Sequence, residues 1–268
     1  MLRNKALLGS ITALVLLLAA TVAMAQDITG TPGPDTLNGT VNADSIDGLA
    51  GDDRINGLGG ADILRGSDGR DTINGEGNCP TGTTSGDSIY YCIPGTSGRD
   101  QIFGGRGPDR INGNGKGDRI AGQSGADRID GGSGNDNITG GSSADAIVGG
   151  TGNDKVNGGS SADSIAGGTG RDNLNGAKGD DSLRGGSGND SLTGNRGDDR
   201  LRGQSGNDGI SGGGGVDRVF GGSGNDRIYV RDGNRDRVDC GGGRDRVSAD
   251  RKDIIKRNCE RVTRRSPS

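Results

Sequence analysis

An aspartate returns at every ninth residue along most of this chain, and that period leaves few folds open. The column runs Asp35, Asp44, Asp53, Asp62 and Asp71. It resumes as Asp100, Asp109, Asp118, Asp127, Asp136, Asp145, Asp154, Asp163, Asp172, Asp181, Asp190, Asp199, Asp208, Asp217 and Asp226 without losing a step. A nine-residue unit cannot bury an apolar face by itself, so it must stack on copies of itself. Two positions after each Asp stands Ile, Leu or Val: Leu37, Ile46, Ile55, Leu64 and Ile73 in the first block, then Ile102 through Ile228. Two positions further comes Gly, usually with another Gly two before the next Asp.

The segment Gly221-Gly222-Ser223-Gly224-Asn225-Asp226-Arg227-Ile228-Tyr229 holds the unit whole. A six-residue turn ends in Asp, and three residues follow that are long enough only for a short strand. Side chains alternate across a strand, so the central aliphatic points inward and its neighbours point out. Arg110, Arg119, Arg128, Asn112, Asn137 and Asn157 take those outward places, as a solvated face requires.

Composition then decides what holds such a stack together. Gly accounts for 59 residues, 27% of the chain is hydrophobic and 2% aromatic, with no Trp and no His, so an ordinary apolar core cannot be assembled. Of the 36 acidic residues only Glu76 and Glu260 are Glu. Asp beside Gly suits tight turns, and Asp is a hard oxygen ligand for Ca²⁺. Stacking aligns the carboxylates about 4.8 Å apart, where like charges repel. The empty stack should therefore come apart, and a divalent counterion should restore it.

These residues resemble the G-G-x-G-x-D-x-U-x nonapeptide of the repeats-in-toxin, or hemolysin-type, calcium-binding family, from Ile28 to Val247. The resemblance implies an all-β fold, a right-handed parallel β-roll solenoid with two repeats per coil. Ca²⁺ would sit between neighbouring turns, held by Asp side chains and turn carbonyls from motifs i and i+18. All twenty aspartates above are then metal ligands, Asp100 sharing an ion with Asp118 and Asp109 with Asp127. The run allows roughly a dozen ions or more, each held by about six oxygens.

Some repeats depart from the pattern. Asn42, Lys116, Ser143 and Ser161 replace the Gly before Asp, so the sites at Asp44, Asp118, Asp145 and Asp163 are expected to be weaker or differently turned. Asp87 divides the gap between Asp71 and Asp100 into spacings of 16 and 13, which reads as one repeat with two insertions. Tyr90 and Tyr91 stand there, and this decorated coil is a candidate recognition loop. After Val230 the register slips by one, to Asp236 and Asp245, and the basic tail is expected to form a small C-terminal cap holding a short helix.

The chain therefore divides into residues 1–25, 26–75 as the first repeat block, 76–99 as the decorated repeat, 100–230 as the second block, and 231–268 as degenerate repeats and cap. In the first segment Arg3 and Lys5 precede an apolar run, Ala6 to Ala20, and Ala23-Met24-Ala25 offers a cleavage site. That is a signal peptide, implying a secreted product with no membrane span in the mature chain. Its removal takes Arg3 and Lys5 and moves the formal charge from −4 to −6. Export places four cysteines where disulfides persist, and proximity favours Cys79–Cys92 and Cys240–Cys259 over the two other connectivities.

Catalysis finds no support in the sequence. Without His there is neither a Ser-His-Asp arrangement nor an H-E-x-x-H site, and no G-x-S-x-G or phosphate-binding loop appears. Pairs such as Asp52-Asp53, Asp180-Asp181 and Asp198-Asp199 each contain a repeat Asp and belong to the turns. A nucleic-acid partner is set aside because the body is acidic and lacks stacking aromatics. Two readings remain: a calcium-loaded structural element, or a binding module whose outward ladders, Arg110 with Arg128 and Arg200 with Arg218, meet a cell-envelope glycan or a protein.

Overall fold

The aliphatic residue of each repeat points inward, and one column from each of two sheets forms the core. A computed structural model describes residues 24–75 and 98–264, and among these it contains twenty-five strands, β1 (Asp27–Thr29) to β25 (Arg261–Arg264). Odd-numbered strands form one sheet of thirteen, sheet A, and even-numbered strands one of twelve, sheet B. Every pairing is parallel, which makes a β-solenoid of about 12 turns. Two repeats complete a coil, so like residues meet at a separation of 18: Ile129 lies beside Ile147, and Ile147 beside Ile165. From Ile46 to Ile228 the inward aliphatics are at most 1% exposed, whereas Ile28 and Leu37 at the open end are only partly buried.

Most strands are longer than the three residues expected. From β9 (Arg119–Ser124) to β20 (Arg218–Ser223) each spans six, because pairing continues past the glycine pair. The two glycines act differently. The first is required by space: a Cβ on Gly149 would lie 2.5 Å from Asp154 Oδ2 and 2.7 Å from the carbonyl oxygen of Gly167. The second is required by conformation, Gly150 having φ of 112°, which turns the corner without breaking the ladder.

Among the described residues the two repeat blocks join directly. β5 (Ile63–Asp68) pairs directly with β7 (Gln101–Arg106), and β6 (Thr72–Asn74) with β8 (Arg110–Asn112), so Leu64 lies beside Ile102 and Ile73 beside Ile111. A stacked extra repeat would have moved Asp100 to the opposite sheet. Residues 76–97, with Cys79, Cys92, Tyr90 and Tyr91, lie outside the described residues, as do residues 1–23.

The tail also differs from expectation. Among the described residues it holds no helix; β22 (Arg237–Gly242), β23 (Arg246–Ala249), β24 (Ile254–Ile255) and β25 extend the same two sheets. The one-residue slip is absorbed between Val230 and Asp236, so that Val238 still lies beside Val219. Cys240 stands where other repeats have their first glycine. It is joined to Cys259, with Cα atoms 5.3 Å apart, and the half-cystines fill the interior of the last coil.

Candidate metal centre

The repeat aspartates form two interior columns, one before each sheet. Each backbone N–H donates to Oδ1 of the Asp one coil later, as Asp109 does to Asp127 at 2.9 Å and Asp163 to Asp181 at 2.8 Å. The structure thus brings together the partners separated by 18, and the same contact spans the insertion from Asp62 to Asp100 and from Asp71 to Asp109. From Asp44 to Asp226 these residues are at most 3% exposed.

Oδ1 is thereby satisfied, and Oδ2 is not. Along the edge of sheet B, Oδ2 of Asp53, Asp71, Asp109, Asp127, Asp145, Asp163, Asp181, Asp199, Asp217 and Asp236 is buried with no hydrogen-bond partner. On the other edge the same holds for Asp136, Asp154, Asp172, Asp190, Asp208, Asp226 and Asp245. A buried carboxylate oxygen without a partner costs on the order of kilocalories per mole, so a repeated row of them marks a missing counterpart. Desolvation pushes the carboxyls up, to about 7 at Asp109, Asp145 and Asp199 and about 6 at Asp127 and Asp181. The backbone N–H opposes that rise at each, while the neighbouring aspartates of the same column add to it at all of these except Asp127.

The donors fit a hard cation. From Asp53 to Asp226 each orphaned Oδ2 borders the first glycine of its turn, and a Cβ on Gly131 would lie 2.5 Å from both Asp136 Oδ2 and the carbonyl oxygen of Gly149. A carboxylate oxygen and a carbonyl of the next coil therefore converge on one small space. Among the described residues no three Asp, Glu or Cys side chains gather, so an ion here would draw on main-chain carbonyls as well as carboxylates. An all-oxygen set of this kind suits Ca²⁺ and lacks the nitrogen or sulfur that Zn²⁺ takes.

The first two turns are built differently. The Thr31 N–H donates to Asp35 Oδ2 at 2.5 Å, and the Thr40 N–H donates to Asp44 Oδ2, so both carboxylates are closed within their own turn. Lys116, Ser143 and Ser161 hold the left-handed conformation of the glycine they replace, with φ of 68°, 80° and 85°. Asn42 is not among the positive-φ residues, and its N–H donates to Thr40 Oγ1.

The slipped repeats at Asp236 and Asp245 were legible in the sequence, whereas Asp253, Glu260 and a second ladder were not. The columns continue past Asp226, since the Asp217 N–H donates to Asp236 Oδ1, that of Asp226 to Asp245 Oδ1, that of Asp236 to Asp253 Oδ1 and that of Asp245 to Glu260 Oε2. The residue before the repeat Asp forms a second ladder in the opposite direction, the Asn207 N–H donating to Asn189 Oδ1 and the Asn225 N–H to Asn207 Oδ1, both at 2.7 Å. Asn or Asp recurring there at separations of 18 was the available signal.

The model of the RTX calcium-binding nonapeptide repeat matches residues 29–64, 56–78, 94–122, 113–147, 139–174, 175–210 and 211–247. No curated protein matches the chain.

Proposed function

The chain belongs to the RTX calcium-binding nonapeptide repeat family, and from that premise we propose that it is a non-catalytic structural element that folds on calcium and works outside the cell. The repeat aspartates from Asp53 to Asp226, continued by Asp236 and Asp245, are the ligands, with turn carbonyls completing each shell. Asp35 and Asp44, whose carboxylates are closed by threonine, contribute least. The observation that carries this reading is the orphaned Oδ2 row. Ca²⁺ supplies the positive charge and the oxygen coordination that these atoms lack.

Binding energy then becomes folding energy, because the unfolded chain holds no preformed site. Calcium is scarce in cytoplasm and abundant outside, so the leader read in residues 1–25 and the calcium requirement agree: the chain crosses unfolded and closes afterwards. The test is a calorimetric calcium titration with circular dichroism on the same sample. Heat and β-signal rising together, saturating at roughly a dozen ions or more, support the reading. Saturation with an unchanged spectrum contradicts it. The second reading, a calcium-dependent adhesin for an anionic glycan, is favoured by one specific observation on sheet B.

A further inference from the structure

The formal charge of −4 conceals how charge is distributed. Of the 34 acidic residues described, 23 are buried, which leaves 11 against 29 Lys and Arg, none of them buried. The acidic body that argued against a polyanionic partner is an interior, and once its carboxylates are neutralised the outside is strongly basic.

Five of the arginines lie on neighbouring rungs of sheet B. Arg184 of β16 (Ser182–Ser187) lies beside Arg202 of β18 (Arg200–Ser205), while Arg200 lies beside Arg218 and Arg218 beside Arg237. Across the roll from β16 to β20, the first and third strand positions of sheet A hold Asn173, Asn175, Ser191, Thr193, Gly209 and Ser211; the basic residues of sheet A stand at its corner, as Lys178 and Arg196, and further along, as Arg227 and Arg246. Solvation therefore does not require the arginines, and like charges on adjacent rungs destabilise a sheet. Desolvation, and then the charges of Arg200 and Arg184, lower the pKa of Arg202. Among the described residues the ion pairs are Arg106 with Asp68 and Lys256 with Asp239, so none of the five arginines is neutralised. Asp239, in register with Phe220, already accepts from Lys256 and from Asn258 at 2.6 and 2.7 Å.

We infer that Arg184, Arg200, Arg202, Arg218 and Arg237 form a strip that binds an extended carboxylated or sulfated polysaccharide. Neighbouring rungs put guanidinium forks about 4.8 Å apart in straight columns, and each fork suits a two-oxygen anion. Single-stranded nucleic acid would want aromatic platforms. The strip has one aromatic, Phe220, and the Arg200 and Arg202 guanidinium carbons lie 5.9 and 5.4 Å from its ring centroid. This inference rests on the calcium-loaded roll proposed above, because only neutralised columns leave the outside basic.

The test uses the full chain in calcium, with dextran sulfate, carboxymethyl dextran, neutral dextran and duplex DNA as probes. Arg200→Ser/Arg202→Ser/Arg218→Ser is compared with Arg54→Ser/Arg119→Ser/Lys155→Ser, which removes the same charge from exposed positions away from the strip. Circular dichroism on every sample reports folding separately. Expected is binding to an anionic dextran but not to neutral dextran, weakened at least about tenfold by the triple change and less than about twofold by the control. Equal losses from both variants, no binding by a folded chain, or DNA bound more tightly than either dextran would overturn the strip. A chain that folds without calcium yet binds would instead overturn the folding proposal.

Discussion

The coils between Asp136 and Asp226 and the chain end from Arg246 to Arg264 follow the same backbone path but treat their carboxylates in opposite ways. In the middle, each Asp accepts one N–H at Oδ1, and for Asp136, Asp145, Asp154, Asp163 and those following, Oδ2 is left bare. At the end, Asp253 accepts the Asp236 N–H at Oδ1 and the Asp250 N–H at Oδ2. Asp250 in turn accepts from Lys252 and Gly233, and Arg264 donates to the carbonyls of Asp250 and Asp253. A disulfide ties this end to β22. A carboxylate with both oxygens engaged needs no cation, so the end is closed by covalent and hydrogen bonds, and the proposed function makes the middle the part that depends on metal.

Acid is the broadest way to break that contrast. Burial raises the mid-roll carboxyls to about 6 or 7 from an unfolded value of 3.8. The folded pKa is the higher, so their contribution is fully present below the unfolded value and lost as pH rises through the folded one. In chelator, β-signal should therefore be greater at pH near 4 than at neutral pH, with the change centred between the two values. Calcium affinity should move the other way, weakening on acidification. A chelated chain whose spectrum does not change with pH would show that the columns are not strained by charge.

Removing the cross-link is the next largest effect. Cys240→Ser/Cys259→Ser opens a loop of 19 residues and should cost the loaded protein about 3 kcal/mol. Hydrogen exchange should rise first in β23 to β25 and leave β9 to β20 protected. A uniform loss across all coils would mean that the end is not a separately held unit.

Single carboxylates sharpen the comparison further. Asp163→Asn weakens the ions shared with Asp145 and Asp181 and should lose about 2.7 kcal/mol for each ion given up at calcium a hundredfold above the site constant, with the loss growing as calcium rises. Asp253→Asn breaks one of two backbone hydrogen bonds and should cost about 1–2 kcal/mol regardless of calcium. Denaturant melts at two calcium levels separate these, and equal calcium dependence in the two variants would erase the distinction.

Periodicity explains why so much of the roll was legible. Nine residues between aspartates and one aliphatic two places on fix the inward column, the separation of 18 and the pairing of Asp109 with Asp127, because stacking repeats whatever one turn does. What was illegible lies where the period gives no information. Spacing alone counts residues between Asp71 and Asp100 but not which sheet Asp100 rejoins, and the pairing of Leu64 with Ile102 decides that. The basic tail is expected to hold a short helix, yet the open rungs of β22 and β23 offer hydrogen bonds that override local preference. Net charge misled for a related reason: it sums interior and surface, and only burial separates interior carboxylates such as Asp208 and Asp217 from the arginines outside.

The most direct measurement is the thermal melt of the chain at neutral pH, stripped of metal by EDTA and then reloaded. The account predicts a sharp cooperative transition with calcium and, without it, none beyond a residue of structure at the disulfide-linked end. A metal-stripped chain that melts as cooperatively as the loaded one would contradict the account.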